Sequence, residues 1–140
     1  MNPYQKLRRQ DEFANWTRMD LLLALFDKAI ERMDRAETLL RAGNTATALP
    51  EIAKTQLIIN QLAAGVKIDV NPELNVNILR LYEFATTELS HGNLAGIDNA
   101  RKIIKTLREG FEGIRAEANE MERTGKILPL NELKMVVASA

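Results

Sequence analysis

Apolar residues in this chain recur in a four-three rhythm that is cut at three places, Gly43-Asn44, Gly65 to Pro72, and Gly92-Asn93. The cuts leave four long segments, with a looser piece at each end. In the first, Thr17 to Ala42, Met19, Leu23, Phe26, Ile30, Met33 and Leu40 fall on one helical stripe, widened by Leu22, Leu25, Ala29 and Ala36. Its opening, Thr17-Arg-Met-Asp20, reads as a capping-box variant. The second, Thr45 to Ala64, repeats the spacing with Leu49, Ile52, Gln56, Ile59 and Ala63, and carries Pro50 in its first turns. The third opens on Asn71-Pro72-Glu73, a cap, a proline at the first helical position and an acid at the positive end of the dipole. Leu74, Ile78, Leu81, Ala85 and Leu89 follow. The fourth, capped by Asn93, holds Ile97, Ala100, Ile104, Leu107, Phe111, Ile114, Ala118 and Met121 in register and predicts one helix reaching Thr124. Gly110 and Gly113 interrupt it, either as tolerated surface glycines or as room for a close neighbour.

Short turns make neighbouring helices antiparallel, and sustained heptads favour left-handed, near-parallel packing. The expectation is an all-α, antiparallel, up-down-up-down four-helix bundle over 17–124, with a short N-terminal arm over 1–16 and a C-terminal extension over 125–140. In the extension Pro129 forbids a straight continuation of the fourth helix. Its Ile127, Leu128, Leu130, Leu133, Met135, Val136 and Val137 suit either an extra helix folded back on the bundle or a binding segment.

Composition agrees with helix and narrows function. The 140 residues match one domain, and the 46 % hydrophobic share is that of a globular chain. Leu and Ala dominate, with 1 Trp, 2 Tyr and 4 Phe, a balance suited to helices rather than strands. Lys and Arg number 19 and so do Asp and Glu; a balanced chain lacks the cationic excess that nucleic acid and anionic membranes reward. The absence of cysteine excludes disulfides, thiolate metal sites and thiol nucleophiles. The longest apolar run, Leu21–Phe26, is far short of the ~18 residues of a membrane span. The N-terminus lacks the apolar core of a secretory signal. A soluble, cytoplasmic protein is expected.

The catalytic inventory is thin. The one histidine, His91, sits beside a turn and reads as a surface residue. Glu88 and His91 give a single Glu-x-x-His match, and a di-iron bundle needs a second histidine. Glu109 and Glu112 lie in a segment with six acids and six bases between Leu94 and Thr124, the signature of a solvated, ion-paired face. No phosphate-binding loop or nucleophile elbow is present. Neither an enzyme, a cofactor nor a metal is expected, and function falls to apolar surface. The apolar residues outside the stripes are Leu57 and Ile58 in segment two, Val76, Leu79 and Tyr82 in segment three, and Ile103 in segment four. They suit a second helix-binding stripe or a widened core.

Four motifs in order carry a resemblance: Asn2-Pro3-Tyr4-Gln5, then Leu22-Leu23-Ala24-Leu25-Phe26-Asp27-Lys28-Ala29-Ile30, then Asn77-Ile78-Leu79-Arg80-Leu81-Tyr82-Glu83-Phe84, and Leu107-Arg108-Glu109-Gly110-Phe111-Glu112-Gly113-Ile114. The chain resembles the flagellar secretion chaperones, which open with Asn-Pro-Tyr, carry a Leu-Leu-x-x-Leu-Tyr-Asp-Gly-Ala-Ile helix and a Leu-Tyr-Asp/Glu-Tyr/Phe segment, and end near Leu-Arg-x-x-Trp. It departs from them at Phe26 for tyrosine, Lys28 for glycine and Phe111 for tryptophan, and in a tail from Glu120 to Ala140 that runs past the typical core.

The resemblance implies a cytoplasmic export chaperone that binds the disordered C-terminal segment of flagellin 1:1, prevents premature polymerisation and delivers it to the flagellar type III export apparatus. The export gate and flagellar regulatory proteins are further partners it suggests. It also implies a detachable N-terminal arm anchored by Tyr4 and Leu7. The partner-binding set is then Tyr4, Leu7, Leu22, Phe26, Leu57, Ile58, Val76, Leu79, Tyr82 and Ile103, on a monomer or weak homodimer. The alternative is a self-associating structural bundle or adaptor.

Overall fold

The computed structural model describes residues 16–125. Among them the chain is entirely helical, with no strand. Helix α1 spans Arg18–Arg41, α2 Thr45–Ala64, α3 Pro72–Ser90, α4 Leu94–Gly113 and α5 Arg115–Arg123. Tyr4, Leu7 and most of the expected arm and tail lie outside the described residues.

Local chemistry explains the boundaries. Thr17 and Asp20 form a reciprocal capping box at the start of α1: the Asp20 N–H donates to Thr17 Oγ1 at 3.1 Å, and the Thr17 N–H to Asp20 Oδ2 at 3.1 Å. Helix α1 stops at a left-handed glycine, Gly43 at φ +76°, while the Asn44 N–H reaches back to the Leu39 carbonyl at 2.8 Å. Asn44 then caps α2 through the Thr47 N–H at 3.4 Å. Pro72 begins α3 as expected, but Asn71, though at the cap position, makes no side-chain cap bond. Asn75 ties the turn down instead, donating to the Lys67 carbonyl at 2.6 Å. Asn93 caps α4 by accepting from the Gly96 N–H at 2.7 Å.

The fourth segment is not one helix. It breaks at Ile114, φ −107° and ψ 6°, so α4 and α5 are separate elements. Gly110 and Gly113 precede the break, and a Cβ at either would meet nothing within 4 Å. They make no room for a neighbour; their backbone freedom weakens the helix here.

The chain forms two compact units. Among the described residues, one comprises 24–110 and the other 16–23 with 111–125. The larger unit is a helical bundle whose core is Phe26, Ala29, Met33 and Ala36 of α1, Ala48, Ile52, Thr55, Ile59 and Leu62 of α2, Tyr82, Ala85 and Leu89 of α3, and Ile97, Ala100 and Ile104 of α4. Helices α1 and α4 run antiparallel, since Asp27 pairs with Arg108 while Asp34 and Glu37, further along α1, pair with the earlier Arg101. Helices α2 and α3 pack against each other. Gln56 joins them, donating to the Thr86 carbonyl at 3.0 Å and to Ser90 Oγ at 2.9 Å.

Two stripes depart in part from the expectation. In α2 the buried row is Ala48, Ile52, Thr55, Ile59 and Leu62, while Leu49 is exposed and Gln56 makes the link to α3. In α3 Ala85 and Leu89 are buried as expected, but Tyr82 is buried beside them while Leu74 and Leu81 are exposed. Tyr82 is fixed against Phe26, their ring centroids 6.3 Å apart and tilted by 32°.

In the smaller unit, α5 meets the start of α1. The Arg18 N–H donates to the Glu122 carboxylate at 3.3–3.4 Å, and Arg115 pairs with Asp20 at 2.7 Å. A carboxylate at the positive end of α1 is well placed electrostatically.

Candidate functional site

Helix α3 carries more apolar side chains than one face can bury. Tyr82, Ala85 and Leu89 are fully buried, and Ile78, Val76 and Leu79 half-buried. Leu74, Leu81 and Phe84 are left 54 %, 41 % and 50 % exposed. Spacings of seven and three residues keep these three on one side of the helix, beside the core-facing stripe. The preceding turn adds Ile68 and Val70, also exposed. By helical position, Glu73 and Arg80 border this row on its outer side. An apolar row with a charged margin is the pattern of a surface that receives an amphipathic helix.

The opposite character marks the surface where α1 and α4 meet. Arg101, largely covered, contacts Asp34 at 2.8 Å, Glu37 at 3.1 Å and Asp98 at 3.6 Å. Its hydrogen bond holds the Glu37 carboxyl below the usual range. The Lys102 ammonium does the same for Asp98. At Glu51 burial opposes ionisation, yet the Arg32 hydrogen bond and the nearby Arg35 outweigh it and lower the carboxyl. At Asp20 burial is likewise outweighed, by the Thr17 N–H and Arg115. These charged groups pair with one another inside the protein.

The residues expected to bind a partner divide into three groups. Phe26 and Tyr82 lie in the core, 0 % and 1 % exposed, with their rings in a tilted contact. Leu22, Ile58, Val76, Leu79 and Ile103 are half-buried, and Leu57 is 63 % exposed. Tyr4 and Leu7 lie outside the described residues. The row Leu74, Leu81 and Phe84 was not among the expected site residues, because the heptad count assigned Leu74 and Leu81 to the core. The signal that finds it is the excess of large apolar residues between Leu74 and Leu89, which no single stripe absorbs.

His91 is exposed, with Nε2 3.8 Å from Glu88, a contact that is ionic only when the imidazole is protonated. Among the described residues no group of His, Asp and Glu has the geometry to hold a metal, and no helix is long and apolar enough to cross a membrane.

No curated protein and no solved structure matches the chain. The family model of the flagellar protein FliS matches residues 1–118. That span takes in the Asn2-Pro3-Tyr4 opening and all of α1 to α4, and it ends inside α5. With most of the chain matched, this protein belongs to the FliS family, which is a family of flagellar export chaperones and not of enzymes.

Proposed function

We propose that this chain is a cytoplasmic chaperone for flagellin, binding its disordered C-terminal segment 1:1, preventing premature polymerisation and delivering it to the flagellar type III export apparatus. The observation that carries the reading is the exposed apolar row Leu74, Leu81 and Phe84 on α3 of a family member. The terminal segments of flagellin form amphipathic helices in the filament. Such a helix laid along the row loses ordering entropy and gains apolar burial, so no nucleotide is needed. Leu57, Ile58, Val76, Leu79, Ile103 and Leu22 extend the contact wherever they reach the surface. The arm with Tyr4 and Leu7 is a detachable cover in this reading, and the export gate and flagellar regulatory proteins are its later partners.

The test is filament growth from seeds of the cognate flagellin. An equimolar amount of this protein is expected to stop elongation, while the Phe84→Glu variant at the same concentration leaves most of it. Undiminished growth with the wild-type protein in excess would overturn the reading. Light scattering of the free protein tests the self-associating alternative, which requires a stable dimer at low micromolar concentration; the chaperone reading expects mainly monomer.

A further inference from the structure

We propose that α5 is a polar strap on the start of α1, one that opens at Gly113–Ile114 together with the first turn of α1 while the larger unit stays folded. Helices in globular proteins are normally held by an apolar face. Helix α5 is not: across Arg115–Arg123 its only buried residue is Glu122, and its large apolar side chain, Met121, is 37 % exposed. Polar contacts hold it instead. The Arg18 N–H donates to the two Glu122 oxygens at 3.4 and 3.3 Å, and Arg115 Nη2 donates to Asp20 Oδ1 at 2.7 Å.

The strap fills a gap that α1 leaves in its own capping. The Thr17–Asp20 box satisfies the N–H groups of Thr17 and Asp20 and leaves that of Arg18 to be met from elsewhere. Glu122 meets it across 104 residues of sequence. The contact is favourable in direction, a carboxylate at the positive end of a helix, but it keeps that carboxylate 8 % exposed and out of water. Asn119, on the same side of α5 as Arg115 and Glu122, buries its Oδ1 without a hydrogen-bond partner among the described residues. The closed strap thus carries two groups that water solvates better, and both favour opening.

Local geometry supplies the hinge. Ile114, φ −107° and ψ 6°, stands at the N-cap position of α5 without a side-chain cap bond, and a Cβ on Gly113 would meet nothing within 4 Å. A helix of nine residues is too short to persist alone in water, so α5 unwinds when it leaves α1. In the open state α1 loses its remote cap, and Met19, 8 % exposed between the two residues that α5 holds, loses its cover. The strap therefore sets how much apolar surface the start of α1 shows.

Native-state hydrogen exchange on the full chain tests the strap. The Arg18 amide and the α5 amides from Ala118 to Thr124 are expected to share one level of protection, at least about a hundredfold below that of the core amides of Ile59, Leu89 and Ile104. Glu122→Ala is expected to speed that set a further tenfold, roughly, and to leave the core amides unchanged. Glu120→Ala, the same change at an exposed position of α5, is expected to leave both sets within about threefold of wild type. Peroxide oxidation of Met19 is expected to accelerate with Glu122→Ala, while that of Met33, 1 % exposed in the larger unit, stays as it is. The proposal is overturned if α5 exchanges at the core rate, if Glu122→Ala changes no rate or every rate alike, or if α5 loosens while Arg18 and Met19 do not.

Discussion

Tyr82 and Gly96 are the single positions on which the bundle depends most visibly. Tyr82 is a large ring buried against Phe26, and burial pushes its phenol up to about 12. The folded chain therefore keeps this proton at a pH where the unfolded chain, titrating near 10, has lost it. Stability is intact below pH 10 and falls as pH rises from 10 toward 12. Urea midpoints measured across that interval, in a Tyr4→Phe background so that tyrosinate absorbance reports Tyr82 alone, are expected to fall together with its ionisation. Tyr82→Ala removes the ring and is expected to cost about 3–5 kcal/mol in the same denaturation. Gly96 packs so closely that a Cβ would fall on the Glu88 carbonyl oxygen. Gly96→Ala is expected to destabilise by about 1–3 kcal/mol through overpacking, whereas Gly113→Ala, with no neighbour within 4 Å, is expected to stabilise by about 0.5–1 kcal/mol. Opposite signs for the same chemical change separate a packing glycine from a flexible one.

Among the elements, α3 decides what the surface offers. Its two apolar faces mean that Leu81 and Tyr82 compete for the core, and the larger ring wins through its contact with Phe26. Periodicity alone does not resolve that contest, because both residues continue an acceptable stripe; only the packing partner on α1 does. The capping box at Thr17 and Asp20, the glycine stop at Gly43, the proline start of α3 and the Asn93 cap were all legible, since each is a local interaction written in adjacent residues. The break at Ile114 was not, because its apolar side chain keeps the heptad while two flexible glycines end the helix. Tyr82 shows the same limit at the site: an aromatic left outside the counted stripe is as consistent with core as with a binding face. If α3's exposed row receives the client, Phe84→Ala is expected to weaken binding at least tenfold, about 1.4 kcal/mol. Its folding stability should change by about 0.5 kcal/mol or less, the usual range for a surface site. Thermal denaturation alongside peptide titration separates the two effects.

Across the whole molecule, charge is spent internally and apolar surface is left over. The formal net charge is zero, and many of the charged groups pair across or along helices, as Arg101, Arg108 and Arg115 do. Asp20, Glu37, Glu51 and Asp98 all have carboxyls held below the ordinary range. Their contribution is present above that range and is lost as pH falls through the lowered native values. Stability is therefore expected to stay flat from neutral pH to about 5 and to decline below about pH 4, as followed by urea midpoints. In the proposed reading, the apolar remainder on α3 is the part left for a partner. Calorimetric titration with the C-terminal segment of the cognate flagellin tests that claim most directly. Saturable 1:1 binding tighter than about 1 µM, with the negative heat-capacity change of apolar burial, is the predicted result. Absence of saturation up to about 50 µM, equivalent to a binding free energy weaker than about −6 kcal/mol, would contradict it.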